Sequence, residues 1–80
     1  MKFSQLIARR TLHLMKARHW KTYKLSMQSG IPYSTLFHIL KSKSKSVTSE
    51  NLLNICRGLN TPLKDFFDDP MFEFENISDD

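Results

Sequence analysis

Residues 23–40 read YKLSMQSGIPYSTLFHIL, with one glycine at position 30. Apolar residues recur at helical spacing on both sides of that glycine, which predicts two short helices joined by a tight turn. Gly30 can take the positive φ that lets a chain reverse within about three residues, and Ile31 can fill the angle between the helices. If the buried side chains are Leu25, Leu36 and Ile39, those left pointing outward are Tyr33, Ser34, Thr35 and His38. Residues 22–41 are therefore predicted to form a helix-turn-helix.

Three further helices are predicted around this pair, which makes the fold class all-α with five helices in one compact domain. Residues 4–18 form the first, with Ile7, Thr11, Leu14 and Met15 on one face and the basic residues mostly elsewhere. Capping residues, prolines and glycines set the other bounds. The expected helices are 23–29, capped by Thr22 and ended by Gly30; Pro32 or Tyr33 to Leu40 or Lys41; a fourth capped by Thr48 and ended by Gly58-Leu59-Asn60; and a fifth that starts at the cap Thr61 and Pro62 and carries Leu63, Phe66 and Phe67.

The charges are divided sharply along the chain. Residues 1–64 contain twelve lysines and arginines and one acid, Glu50, for a net charge of +11. Residues 65–80 contain seven acids and no base, for a net charge of −7. A basic body with an acidic tail suggests a polyanion as partner, because each phosphate that is neutralised releases condensed counterions. Binding to a membrane surface is the alternative that basic charge alone leaves open.

Several classes of protein fit the sequence poorly. Eighty residues make one domain with a small core, and no apolar run reaches the ~18 residues of a membrane span. One cysteine and no signal-peptide pattern favour the cytoplasm. His13 and His19 are six positions apart, which does not suit a zinc site, and Cys56 lies in an apolar stripe typical of an inert core residue. With no acid–base pair beside a pocket, we expect no enzyme activity, metal or cofactor.

The chain resembles the phage-repressor-type (Xre-like, Cro-like) helix-turn-helix DNA-binding family. The likeness is carried by five helices in the family's order over residues 4–67. It is strongest in YKLS at 23–26, GIPYST at 30–35 and NTPLKDFF at 60–67. The resemblance implies a repressor-like DNA-binding domain over residues 1–67, whose helix at 32–41 enters the major groove.

Site residues follow from the same resemblance by position. Contacts to bases are implied for Tyr33, Ser34, Thr35 and His38. Contacts to phosphates are implied for Lys21, Thr22 and Tyr23 at the start of the second helix, and for Lys41, Lys43 and Lys45 after the recognition helix. The implied function is a sequence-specific transcriptional regulator, a repressor that binds a pseudo-palindromic operator in double-stranded DNA as a homodimer.

Two departures from the family pattern are informative. Many members pair an arginine on the first helix with a glutamate on the recognition helix, and the matching positions here are Met15 and Leu40. Apolar partners can replace a buried ion pair at no cost in stability, so we expect these two side chains to touch. Ser42 stands where most relatives have glycine. Three roles fit Phe37: a core residue, a dimer contact, or an apolar residue at a position that is usually polar in the family. The ring of Tyr33 could pack on Phe37 instead of contacting DNA.

The acidic tail, residues 68–80, supports a second interpretation. It carries Met71, Phe72, Phe74 and Ile77, too many apolar groups for a freely solvated tail. With the fifth helix it could form the dimer contact, or it could be the segment of a protein-interaction module, antitoxin-like or adaptor-like, for which DNA is secondary. It could also fold back onto the basic body and weaken DNA binding by mimicking phosphate.

Overall fold

The computed structural model describes residues 1–41 and 46–78 of the chain. Within these ranges the body consists of five α-helices: α1 (Phe3–Ala17), α2 (Thr22–Ser29), α3 (Tyr33–Leu40), α4 (Ser49–Gly58) and α5 (Leu63–Phe66). Two 3₁₀ turns follow, at Pro70–Phe72 and Phe74–Asn76. The described ranges contain no sheet, only an isolated bridge between Lys2 and Ser78. The predicted all-α, five-helix fold is confirmed.

Two helices begin without the cap that the sequence suggested. Thr22 is the first residue of α2, so Lys21 is the N-cap and no side chain caps the helix. α5 begins at Leu63, and the hydroxyl of Thr61 donates to the carbonyl of Leu59 at 3.2 Å. The prediction that Thr22 and Thr61 are N-caps is therefore wrong. Capping propensity is a local preference, and here the path of the chain between packed helices overrides it.

The start of α4 is as predicted, because the Thr48 hydroxyl accepts a hydrogen bond from the amide of Asn51 at 3.0 Å. Two prolines were expected as the first residue of a helix, and each instead occupies the N-cap position just before it. Pro32 and Pro62 are N-cap residues with ψ of 141° and 149°, and the helix begins on the following residue. Tyr33 is therefore the first residue of α3, the later of the two predicted starts.

α4 ends within positions 58–60, as predicted, and its end is closed by a left-handed residue. Asn60 has a φ of 51°. Its amide donates to the carbonyl of Arg57 at 3.0 Å, and the Thr61 amide donates to that of Cys56 at 2.9 Å. This pairing of the last carbonyls is a Schellman motif, and α1 ends in the same way around His19. Helix ends closed like this fix the direction in which the next segment leaves.

The core lies where the five helices meet. Its fully buried side chains come from every helix and include Ile7, Leu25, Leu36, Ile55 and Phe66. Leu25 and Leu36, predicted to be buried, are 0% exposed, and Ile39 is 3% exposed. Burial of one side of α2 and α3 orients their other side toward solvent.

Arg10 of α1 is a structural residue. Its Nε donates to the carbonyl of Phe66 at 2.7 Å, and one terminal nitrogen donates to that of Asp65 at 2.9 Å. The other terminal nitrogen lies 3.5 Å from a carboxylate oxygen of Asp69. The last carbonyls of a helix have no partner within it, so Arg10 satisfies the end of α5 and joins it to the tail.

Arg18 has a similar role at the other end of α1. Its guanidinium donates to the carbonyl of Leu14 at 3.0 Å, to that of Leu59 at 2.9 Å and to the hydroxyl of Thr61 at 3.1 Å. It also lies 6.0 Å from the ring centre of Trp20. The basic residues of α1 were predicted to lie mostly away from its packed face, and Arg9 and Lys16 are exposed as expected. Arg10 and Arg18 are the exceptions, because their guanidiniums pair with carbonyls from α5 and from the turn before it.

An aromatic cluster attaches the tail to α1. Phe72 lies 4.8 Å from Phe67 and 6.1 Å from Phe66 between ring centres, and Phe3 stacks on Phe67 at 6.1 Å. The Met1 amine donates to the carbonyl at position 76 at 3.2 Å, and the amide at position 78 donates to the Met1 carbonyl at 2.8 Å. The described part of the acidic tail therefore packs against the start of α1.

Candidate nucleic-acid interface

Three hydrogen bonds stabilise the turn between α2 and α3. Gly30 has a φ of 74°, and its amide donates to the carbonyl of Ser26 at 3.0 Å. The Ser26 hydroxyl donates to the carbonyl of Ile31 at 2.7 Å, while the Ile31 amide donates to the hydroxyl of Ser29 at 3.2 Å. Ile31 is 3% exposed, so it fills the angle between the helices as predicted. These contacts fix α3 relative to α2.

A second contact fixes this helix pair on the body. A Cβ placed on Gly58 would lie 2.9 Å from the Cα, Cβ and backbone nitrogen of Ser29, the last residue of α2. Contacts this short essentially never occur, so α2 and α4 can approach here only because position 58 has no side chain. The sequence marked this glycine as a helix stop. Its larger role is to set the distance between α2 and α4.

The outward side of α3 is a polar stripe. Leu36, Ile39 and Leu40 are buried, and on a helix with 3.6 residues per turn the opposite side carries Ser34, His38 and Lys41. These three side chains are exposed. Tyr33 and Thr35 are exposed too, but they lie on the two flanks of the stripe. The predicted outward set is thus found at the surface, with Ser34 and His38 at its centre.

Phe37 lies on the same flank as Tyr33, one turn later. The two rings are stacked, with centres 6.2 Å apart and planes 22° apart. The ring of His38 approaches the edge of Phe37 at 6.2 Å, and the Lys41 ammonium lies 5.6 Å from the Phe37 ring centre. Tyr33 thus packs on Phe37 while half of its surface stays exposed.

The start of α2 presents three of the predicted phosphate-binding residues. Lys21 is exposed, Thr22 is half-buried, and Tyr23 is 67% exposed. Because no side chain caps α2, its first amides point outward from a helix end that favours negative charge. Lys24 adds a cation that the sequence analysis did not select. Its ammonium lies 5.7 Å from the ring centre of Trp20.

Of the three lysines predicted to bind phosphate after the recognition helix, one lies within the described residues. Lys41 is exposed at the end of α3. Lys43 and Lys45 lie outside the described residues, as does Ser42, so these predictions stand untested.

Met15 and Leu40, which stand where many relatives pair an arginine with a glutamate, lie in the same core cluster. Met15 is 3% exposed and Leu40 is 7% exposed, and both belong to the buried group to which all five helices contribute. The helices that carry them, α1 and α3, are packed neighbours. A direct contact between the two side chains stays a prediction.

The helices α1, α2 and α3 and the acidic tail keep the division of charge seen in the sequence. No acid occurs before Glu50, so α1, α2 and α3 contain no carboxylate side chain. The hydrogen bonds and ion pair described for residues 68–78 run within the tail or to Met1, Asp65, Phe67 and Arg10, and none reaches α2 or α3. The described tail therefore leaves the polar stripe of α3 uncovered.

Other chemistry finds little support in the described part of the chain. No group of three or more histidines, cysteines or acids is arranged there to hold a metal ion. Cys56 is 2% exposed, and burial raises the pKa of its thiol, which disfavours the reactive thiolate. No helix in residues 1–41 or 46–78 combines the length and the apolar character needed to cross a membrane.

Comparison with known proteins gives one match. A family model described as the Cro/C1-type HTH DNA-binding domain matches residues 12–70, which contain the turn, the polar stripe and α4 and α5. Neither the curated proteins nor the solved structures yield a match to the chain.

Proposed function

Because the chain belongs to the Cro/C1-type helix-turn-helix DNA-binding family, we propose that it is a sequence-specific transcriptional regulator. It acts as a repressor that binds a pseudo-palindromic operator in double-stranded DNA. The observation that supports this most directly is the exposed polar stripe of α3, held at a fixed angle by the Gly30 turn on a helix pair that contains no carboxylate side chain. A helix so presented fits the major groove.

Base readout is assigned to the outward residues of α3. His38 can donate to O6 or N7 of guanine, and Ser34 can donate or accept. Thr35 can offer a methyl group to thymine from one flank, and Tyr33 lies on the other. Only His38 and Ser34 occupy the centre of the stripe, so they carry most of the hydrogen-bonded discrimination.

Phosphate binding is assigned to residues on either side of α3. Lys21, Thr22 and Tyr23 offer a cation, a hydroxyl and backbone amides at the start of α2. Lys41, Lys43 and Lys45 follow the DNA backbone beyond the recognition helix. Such contacts fix the register of the protein on DNA and supply affinity that depends on salt.

A homodimer fits the size of the domain, which covers about half of an operator, with half-sites ~34 Å apart. We assign the dimer surface to α5 and the tail after it. The rings of Phe66, Phe67 and Phe72 are used inside the chain, so the exposed apolar groups there are Leu63, 44% exposed, and Phe74, 92% exposed.

Selection from a random pool of DNA tests the proposal. The full chain should enrich a motif with two-fold symmetry at moderate salt, and sedimentation should show a dimer on the selected site. A dimeric protein that enriches no motif under these conditions would contradict sequence-specific regulation.

The variant His38→Ala should relax preference at one base pair of each half-site and lower affinity for the selected sequence about tenfold. The imidazole is exposed at the centre of the stripe, so its loss removes a base contact without disturbing the core. Competition between the selected site and all single-base variants of it measures the effect. Equal loss on every sequence would assign His38 to the DNA backbone instead.

The variant Lys21→Ala should weaken binding to all sequences by a similar factor. Loss of one phosphate contact reduces the slope of log K against log salt concentration by about one. Titrations at several salt concentrations on selected and unrelated DNA measure the slope. Arg57→Ala, which removes an exposed cation from the end of α4, is the matched control and should leave the slope unchanged.

One observation favours a second function. Phe74 is 92% exposed between Glu73 and Glu75, on a tail whose neighbouring turns are attached to the body. A ring held in solvent this way suits a protein partner, as in an antitoxin-like or adaptor-like module for which DNA is secondary. A failed DNA selection by a confirmed dimer would favour this function over the first.

A further inference from the structure

Tyr33 and Phe37 on one flank of α3 and Lys41 at the adjoining end of the polar stripe form a ladder, which we call the aromatic ladder. They are four residues apart, so they lie one above the other on the helix. The Tyr33 and Phe37 rings are stacked with centres 6.2 Å apart, and the Lys41 ammonium lies 5.6 Å from the centre of the Phe37 ring. Phe37 is therefore held from both sides by residues of its own helix.

Phe37 is not a core residue. In the described part of the chain, the half-buried apolar side chains that pack against the core are Leu14, Trp20, Val47, Leu52, Phe67 and Phe72. Phe37 is not one of them. Its ring contacts are with Tyr33, His38 and Lys41, all of which are exposed. A large apolar ring thus lies beside the polar stripe with part of its surface open to solvent.

We propose that Phe37 reads the 5-methyl group of a pyrimidine in the major groove, which makes it a specificity-determining residue. The inference rests on the proposed function. The edges of the four bases in the major groove carry hydrogen-bonding groups, and the methyl group of thymine is the apolar exception. Phe37 adjoins His38, so a base pair next to the one contacted by His38 comes within reach of its ring. The stacked Tyr33 and the Lys41 cation hold the ring in place, so little side-chain freedom is lost on binding.

The same methyl group occurs on 5-methylcytosine, so the recognised chemistry is a 5-methylpyrimidine. Thr35 is the rival for this contact, because its side chain also carries a methyl group and lies on the opposite flank of α3. The two residues therefore approach different base pairs, and substitution of each separates their contributions.

The test begins with the motif selected by the full-length protein. Each thymine of that motif is replaced in turn by 2′-deoxyuridine, which removes the methyl group and leaves every hydrogen-bonding group in place. We expect one thymine in each half-site at which this replacement lowers affinity about 3- to 10-fold. At that position the dissociation constant of Phe37→Ala should be the same for thymine and uracil. Phe37→Leu, which keeps an apolar side chain, should retain part of the difference.

Two further arms assign the contact. Thr35→Ser should keep the methyl sensitivity assigned to Phe37. Replacement of that thymine by cytosine and by 5-methylcytosine should show tighter binding of the methylated base by the unsubstituted protein and equal binding by Phe37→Ala.

The outcomes are distinct. Methyl sensitivity that disappears in Phe37→Ala and remains in Thr35→Ser supports the proposal. A motif with no methyl-sensitive position, or with sensitivity that depends on Thr35 alone, overturns the role of Phe37 and leaves the proposed function standing. Failure to select any motif overturns the proposed function and this inference together.

Discussion

Replacement of Arg10 by alanine is expected to lower the free energy of unfolding by about 2–3 kcal/mol, because hydrogen bonds to a charged group are worth about 1.5–3 kcal/mol and their loss leaves a buried carbonyl unpaired. The carbonyl of Phe66 loses the one hydrogen bond found for it in the described part of the chain. The carbonyl of Asp65 and the carboxylate of Asp69 each lose one partner and keep another, the amides of Asp68 and Met71. Urea denaturation followed by circular dichroism measures the change. The slope against urea should also fall if the tail detaches, because less surface is then buried.

Arg9→Ala is the matched control, since Arg9 is exposed on the same helix and carries the same charge. Its effect should stay within about 0.5 kcal/mol. Arg10→Lys should recover little, because an ammonium group cannot reproduce the planar geometry that serves Phe66 and Asp65 together. Equal stability of the Arg9 and Arg10 variants would show that the hydrogen bonds of Arg10 contribute nothing measurable.

Replacement of Gly58 by alanine should cost about 2 kcal/mol, although alanine is the better helix former by about 1 kcal/mol. The added Cβ would meet the Cα and backbone nitrogen of Ser29 at 2.9 Å, and a backbone cannot move aside as a flexible side chain can. Relief requires α2 to shift away from α4. Since the Gly30 turn joins α3 to α2, affinity for the selected DNA should fall even where the variant remains folded.

Gly30→Ala separates this effect from that of backbone conformation. A Cβ at Gly30 has no atom within 4 Å, but its φ of 74° is unfavourable for alanine. The expected cost is about 1–2 kcal/mol from the left-handed conformation alone. Thermal unfolding of both variants makes the comparison. If Gly58→Ala proved more stable than the unsubstituted protein, helix propensity would outweigh packing, and the close approach would not limit the distance between α2 and α4.

The helices were predictable because their signals are local. Apolar periodicity, a glycine with positive φ and a threonine cap each act within about one turn of helix, so the sequence around positions 23–40 was sufficient to place α2 and α3 to within one residue. The N-cap predictions failed at Thr22 and Thr61 for the converse reason. Several residues near a helix start can serve, and packing against other helices selects among them.

The roles of Arg10 and Arg18 could not be predicted from spacing. Apart from the carbonyl of Leu14, their partners lie 41 to 59 positions further along the chain, and no periodic pattern encodes which distant carbonyl an arginine will meet. The attachment of the tail to α1 was invisible for the same reason. Composition indicated that the tail carries too many apolar groups to be freely solvated, but it did not identify the surface on which they pack.

The candidate site was predictable in outline only. The alternation of Leu36, Ile39 and Leu40 with polar residues was enough to find the outward side of α3. It did not resolve the centre of that side from its flanks, because this depends on how deeply each neighbour is buried. Phe37 was ambiguous because it falls between the buried and exposed sides of the helix, where periodicity favours neither.

Trp20 gives the molecule an optical property of practical use. It is the single tryptophan of the chain, half-buried two residues before α2, with the cations of Arg18 and Lys24 at 6.0 and 5.7 Å from its ring centre. The fluorophore lies next to the proposed phosphate-binding start of α2. Because indole emission is sensitive to nearby charge, its fluorescence should change when DNA phosphates bind there. The protein therefore carries a built-in fluorophore with which its encounter with DNA can be followed without a label.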